Sequence, residues 1–160
     1  MSKSPKNRKP KAQYSPLERQ PFAKENPGST DKETPAWQFH RCDKDHLLWG
    51  WNKMSPEKYL EVIKALHGFE QMTWANIKAQ SGGKASGRGT NHHFVPVSNF
   101  VKEARQRLEE LKLLDYEELF SLRLNSTLRL YAVKEGRILR FIWHDPYHGD
   151  DKGACPVAPK

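Results

Sequence analysis

Two arginines, Arg123 and Arg129, flank a short Asn125-Ser126-Thr127 turn, each inside a run of strand-forming residues. If the turn closes a hairpin in suitable register, the two side chains share a face. Like charges held that close repel unless an anion sits between them. Two readings follow: a phosphate site, or a pair of solvated arginines on a sheet. Further along, Trp143-His144-Asp145-Pro146-Tyr147-His148 gathers titratable side chains at a strand end, a setting for proton transfer. His144 and His148 have the spacing that would hold a metal on a helix, but Pro146 forbids a regular helix there. His92 and His93 are adjacent and, if extended, cannot aim at one ion. No metal or cofactor is therefore expected. The run Ser81 to Thr90 is rich in glycine and carries Lys84 and Arg88. Its backbone N–H groups could wrap a phosphate, or it is a plain loop. It is not a Walker loop, because the Lys-Ser/Thr ending is absent.

These residues sit in a chain whose charge is unevenly spread. Of 160 residues, 27 are Lys or Arg and 19 are Asp or Glu, a formal charge of +8 that points to a polyanionic partner. Residues 1–35 hold eight bases against four acids and six of the 11 prolines, with apolar residues at no regular period. Such a segment is expected to be a disordered basic tail. No acid lies between Glu70 and Glu103, and only Glu135 lies between Glu118 and Asp145. No apolar run approaches the ~20 residues that span a bilayer, and no secretory signal is visible. A cytoplasmic protein with no membrane association is expected. The two cysteines, Cys42 and Cys155, lie far apart and suggest neither a disulfide scaffold nor a metal site.

The elements that must position the candidate residues follow from periodicity. Trp37, Phe39, Trp49 and Trp51 read as core or domain edge. Ser55-Pro56-Glu57 starts a helix whose apolar face is Tyr59, Leu60, Ile63 and Leu66, with Gly68 as its stop. Thr73 caps a short second helix to Gln80. Asn91 to Pro96 reads as extended. Ser98 opens a third helix from Asn99 to Leu114. Three strands close the chain: Phe120 to Leu124, Leu128 to Val133 and Arg137 to Trp143, the last two joined by a turn at Gly136. The expected fold is α+β: N-terminal helices packed on a C-terminal antiparallel sheet of three or more strands, one domain over 36–150, and a flexible tail over 151–160.

Leu122-Arg123-Leu124, then Leu128-Arg129-Leu130-Tyr131-Ala132, then Gly136 to Asp145 resembles the C-terminal sheet of the RelE/ParE toxin superfamily. The ending Trp143 to His148, with Trp74 and His93, also resembles a less-characterised branch of small proteins. The RelE/ParE resemblance implies the toxin of a type II toxin–antitoxin system, an endoribonuclease acting on ribosome-bound messenger RNA if it is catalytic. By that likeness Arg129 stabilises the phosphate, Arg123 assists it, His144 is the acid or base, and His93 is an outside candidate for the other proton transfer. Tyr147 or His148 would orient the substrate, while Lys84, Arg88 and Arg140 would add contacts to it. The implied partners are a cognate antitoxin that covers the basic sheet, and RNA. ParE-like relatives instead block DNA gyrase through protein contacts, which leaves a non-catalytic toxin aimed at a replication protein as an alternative. A non-toxic nucleic-acid-binding module is the other. Tyr116 to Phe120 faintly resembles peptides that dock on sliding clamps through a Leu-Phe pair.

Overall fold

A computed structural model describes residues 30–81 and 90–156. Lys84, Arg88 and most of the expected tail lie outside the described residues. The elements are β1 (Ala36–Gln38), α1 (Pro56–Glu70), α2 (Trp74–Ala79), β2 (His93–Pro96), α3 (Lys102–Glu110), β3 (Glu118–Arg123), β4 (Arg129–Glu135) and β5 (Ile138–Asp145).

The helix starts follow the capping residues. Ser55 Oγ accepts the Lys58 N–H at 3.3 Å, with Pro56 in the first turn of α1. Thr73 Oγ1 accepts the Asn76 N–H at the head of α2. The free N–H groups of Trp74 and Ala75 donate to the carbonyls of Glu33 and Asp31, each at 2.9 Å. Residues 30–35, assigned to the tail by composition, are thus tied to the fold. Gly68 does not stop α1, which continues to Glu70 because Phe69 packs on the core. The third helix is shorter than expected. Ser98 lies in a single 3-10 turn, Phe100 and Val101 are extended, and the Val101 N–H is taken by the Ala154 carbonyl at 3.0 Å. Its end is a left-handed Lys112 (φ 58°), with the Leu113 N–H returning to the Leu108 carbonyl at 2.8 Å.

The sheet has five strands in the order β1-β5-β4-β3-β2, and β1 runs parallel to β5. The expected antiparallel meander is its centre, β3-β4-β5, with Gly136 at positive φ in the β4–β5 turn. The sheet is mixed rather than antiparallel, because Trp37 pairs with Leu139 as a first strand. Helices cover both faces. Val62, Leu66, Trp74 and Ile77 of α1 and α2 pack on Phe120, Leu122, Leu130, Ala132, Leu139 and Phe141. Ala104 and Leu108 of α3 pack on Leu119, Tyr131, Val133, Ile142 and Trp143 on the other side. Two buried faces explain the nearly continuous apolar run of β4. Residues 151–156 are docked rather than loose. Ala154 is buried, and its N–H donates to Asp145 Oδ2 at 2.8 Å.

A bulge in β5 decides which side chains meet. Tyr131 pairs with Trp143 and Ala132 with Phe141, so Ile142 is the extra residue. Ile142 and Trp143 therefore both face α3, and the alternation resets after them. His144 pairs with Leu130 and turns to the α1 face; Asp145 pairs with Arg129 on the α3 face.

Candidate nucleic-acid site

Arg123 and Arg129 are direct cross-strand partners at the base of the β3–β4 hairpin. The turn that joins them is organised by Asn125. Its Oδ1 accepts the N–H groups of Thr127 (2.9 Å) and Leu128 (2.7 Å), and its Nδ2 donates to Glu61 Oε1 on α1 at 2.6 Å. The side chain thus fixes where the Asn125 carbonyl points. Arg123 Nε donates to that oxygen at 3.2 Å and Arg129 Nη1 at 2.6 Å. Two guanidinium groups converging on one oxygen lie within roughly 6 Å of each other, inside the range where their charges couple. Among the described residues no carboxylate forms an ion pair with either. Arg129 is buried, with 6% of its surface exposed, and Arg123 is half-buried. Burial first, and then the Arg123 charge, bring the Arg129 guanidinium down to about 10, so both remain cationic at neutral pH.

Three histidines flank the pair, in different roles. His92 is buried; its Nδ1 accepts the Arg123 backbone N–H at 3.0 Å and its Nε2 meets Gln80 Oε1 at 2.8 Å. It clamps the head of β2 to the end of β3 and is neutral, held at about 4 chiefly by burial and then by the arginine charges. His93 is exposed and pairs with Ser121, which puts it on the α3 face with the arginines. His148 follows β5 and is held beside the hairpin turn by its N–H to the Thr127 carbonyl at 3.0 Å. Burial pushes its imidazole down to about 4, and the charges of Arg129, His93 and Arg123 add to that. Its Nδ1 is buried without a hydrogen-bond partner among the described residues.

The structure therefore brings Arg123, Arg129, His93 and His148 to one end of the α3 face. It does not bring His144 there. The His144 ring is 4% exposed, its Nδ1 meets the Trp49 carbonyl at 3.1 Å and it lies beside Trp51 on the α1 side. The expectation that His144 is the acid or base is corrected: the bulge turns it to the opposite face. Arg140 is also set apart. It faces α3 but opposite Val133, about 13 Å along the strand from Arg129 at the usual rise. There it pairs with Glu135 and donates to Gln38 Oε1 at 2.8 Å. Tyr147 packs against the α3-side core beneath Lys152. The sliding-clamp likeness fails, because Leu119 and Phe120 are fully buried in β3. Asn125, Asn91 and His92 also build the site, a role their types and spacing do not signal. Asn125 was visible as a turn residue, but nothing in the pattern said its carbonyl would face two arginines.

No protein-family model, curated protein or solved structure matches the chain.

Proposed function

We propose that the protein is an RNA-cleaving endonuclease serving as the toxin of a toxin–antitoxin pair. The single observation that carries the reading is the Arg123–Arg129 pair, held on one carbonyl with no carboxylate partner and flanked by His93 and His148. The likeness of the meander to RelE/ParE toxins supports the same reading. Arg123, the more open of the two, and Arg129 behind it would together hold the scissile phosphate. His148, neutral at physiological pH, would take the proton of the 2′-hydroxyl as its oxygen attacks phosphorus. His93 would give a proton to the 5′-oxygen as the P–O bond breaks. The products would be a 2′,3′-cyclic phosphate and a 5′-hydroxyl. A cognate antitoxin would inhibit by covering this end of the sheet.

The test is incubation of the purified protein with RNA, with and without ribosomes. Cleavage leaving cyclic phosphate ends is expected. His93→Ala and His148→Ala should each lose on the order of 100-fold in rate, while His144→Leu should retain activity. RNA left intact under both conditions would refute the nuclease reading.

A second reading rests on Leu60 and Ile63, one turn apart on α1 and 67% and 59% exposed. An exposed apolar stripe of this kind suits a protein contact. On that reading the chain arrests growth by binding a replication protein such as gyrase, and Ile63→Glu abolishes toxicity while His93→Ala and His148→Ala do not.

A further inference from the structure

A cleft of about 400 Å³ lies between the C-terminal half of α1 and the edge formed by β2 and β3. Phe69, Met72 and Leu124 give it apolar walls, and Gln80 and Asn91 give it polar ones. Arg123 also lines it, so it opens directly beside the arginine pair. A planar aromatic heterocycle fits such a volume, and its walls mix the apolar surface and directed amides that a base needs.

The hydrogen bonds fix which way those amides face. His92 Nδ1 accepts the Arg123 N–H, so the proton of this neutral ring is on Nε2. Nε2 therefore donates, and the group it meets at 2.8 Å must be the Gln80 oxygen. That leaves the Gln80 NH2 group, whose partner is the weakly accepting Met72 sulfur at 3.7 Å. Asn91 repeats the arrangement. Its Oδ1 accepts from Arg123 Nη1 at 3.1 Å, and its Nδ2 has no partner among the described residues. Both amide oxygens are locked and both NH2 groups remain to donate.

We propose that this cleft binds a nucleobase of the nucleotide whose phosphate rests on Arg123 and Arg129, and that it selects guanine. The proposal rests on the phosphate reading of the arginine pair. Guanine presents two acceptors, O6 and N7, on one edge, which matches two amide donors. Adenine places its N6 amino group at the position of O6, so one donor would meet a donor.

Binding of uncleavable pentanucleotides, UUXUU with 2′-deoxyribose throughout, tests this by fluorescence anisotropy, where X is guanine, adenine or an abasic residue. Guanine is expected to bind about tenfold more tightly than adenine or the abasic oligomer. Gly68 supplies a variant that keeps the fold: a Cβ there meets nothing within 4 Å, and a helix interior favours leucine over glycine. Gly68→Leu should fill the cleft, erase the guanine preference and leave abasic binding unchanged. Equal affinity for the guanine and abasic oligomers overturns the base site while leaving the phosphate site intact. A guanine preference that survives Gly68→Leu also overturns it. No binding of any oligomer overturns the phosphate reading and the base site with it.

Discussion

Replacing Arg129 by methionine should make the protein more stable while weakening the RNA binding proposed for it. A buried cation without a carboxylate partner costs free energy, and the fall of the guanidinium from its ordinary value to about 10 reflects that cost. At about 1.4 kcal/mol per pH unit the ceiling is about 3 kcal/mol. Coulomb repulsion between two charges ~6 Å apart at an effective dielectric of ~20 gives the same order, ~3 kcal/mol. The carbonyls that lose Arg129 are not orphaned. Asn125 O keeps Arg123 Nε, and Leu128 O keeps the Leu124 N–H at 3.0 Å. Attraction to buried Asp145 opposes the gain, but it is weaker than the repulsion from Arg123. A net gain of ~1–3 kcal/mol is expected, a rise in Tm of several degrees for a domain of this size. Urea denaturation at pH 7 measures it. RNA affinity, read alongside, should fall and lose about 0.7 from the slope of log K against log salt, one phosphate contact on a single strand. If Arg129→Met instead unfolds at lower urea and binds RNA with an unchanged salt slope, Arg129 is a structural residue and the phosphate argument fails.

Two further outcomes follow from buried titratable groups. His92, His144 and His148 are each held at about 4, in every case chiefly by burial. Below pH ~6.5 the unfolded chain takes up protons that the folded one refuses, so stability should fall as pH drops from 6.5 toward 4, by at most ~4 kcal/mol per pH unit; identical urea midpoints at pH 7 and pH 5 would contradict this. Asp43 is buried and bound by Arg107 through Nε and Nη2, both at 2.8 Å, and by Trp143 Nε1 at 2.9 Å. Burial pushes its carboxyl up, but these bonds outweigh it and hold it at about 2. That stability is present above pH ~3.8 and lost as pH falls through ~2. Arg107→Met should therefore cost ~3 kcal/mol at pH 7, and its urea midpoint should converge on the wild-type value in strong acid; a constant gap from pH 7 to 2 would refute the role given to Asp43.

How much of this was legible in the sequence differs by element. Helix starts were readable because Ser55 and Thr73 act through their own side chains on N–H groups three residues away. The third helix was misjudged because its start is set by Ala154, far along the chain, which takes the Val101 N–H. β1 was missed for the same reason: three residues carry no strand signal until a parallel partner 102 residues away is in place. The Arg123–Arg129 pairing was legible because a tight hairpin fixes local register. The exclusion of His144 was not. A bulge in β5 is a tertiary response to Trp143 and Ile142 both seeking the α3-side core, and counting odd and even residues cannot register it.

That bulge also explains why the arginines of the sheet divide into two kinds. At the Gly136 end, Arg140 and Glu135 pair across the hairpin, and Lys134 lies over the Trp74 ring. Those charges are answered within the fold. At the Asn125 end the only acid that β5 supplies to the α3 face is Asp145, and its two oxygens are taken by the N–H groups of Tyr147 and Ala154. Burial holds the Asp145 carboxyl above its usual range, against the pull of those bonds and of Arg129, which reduces it further as a counter-charge. Were Ile142 paired regularly with Tyr131 instead of bulged, His144 rather than Asp145 would sit opposite Arg129, by simple alternation. The bulge places a carboxyl there, and the turn after β5 then draws that carboxyl into its own backbone. The net result is one end of the sheet with two histidines and two guanidinium groups that have no ion-pair partner among the described residues, which is the arrangement a phosphodiester would complete.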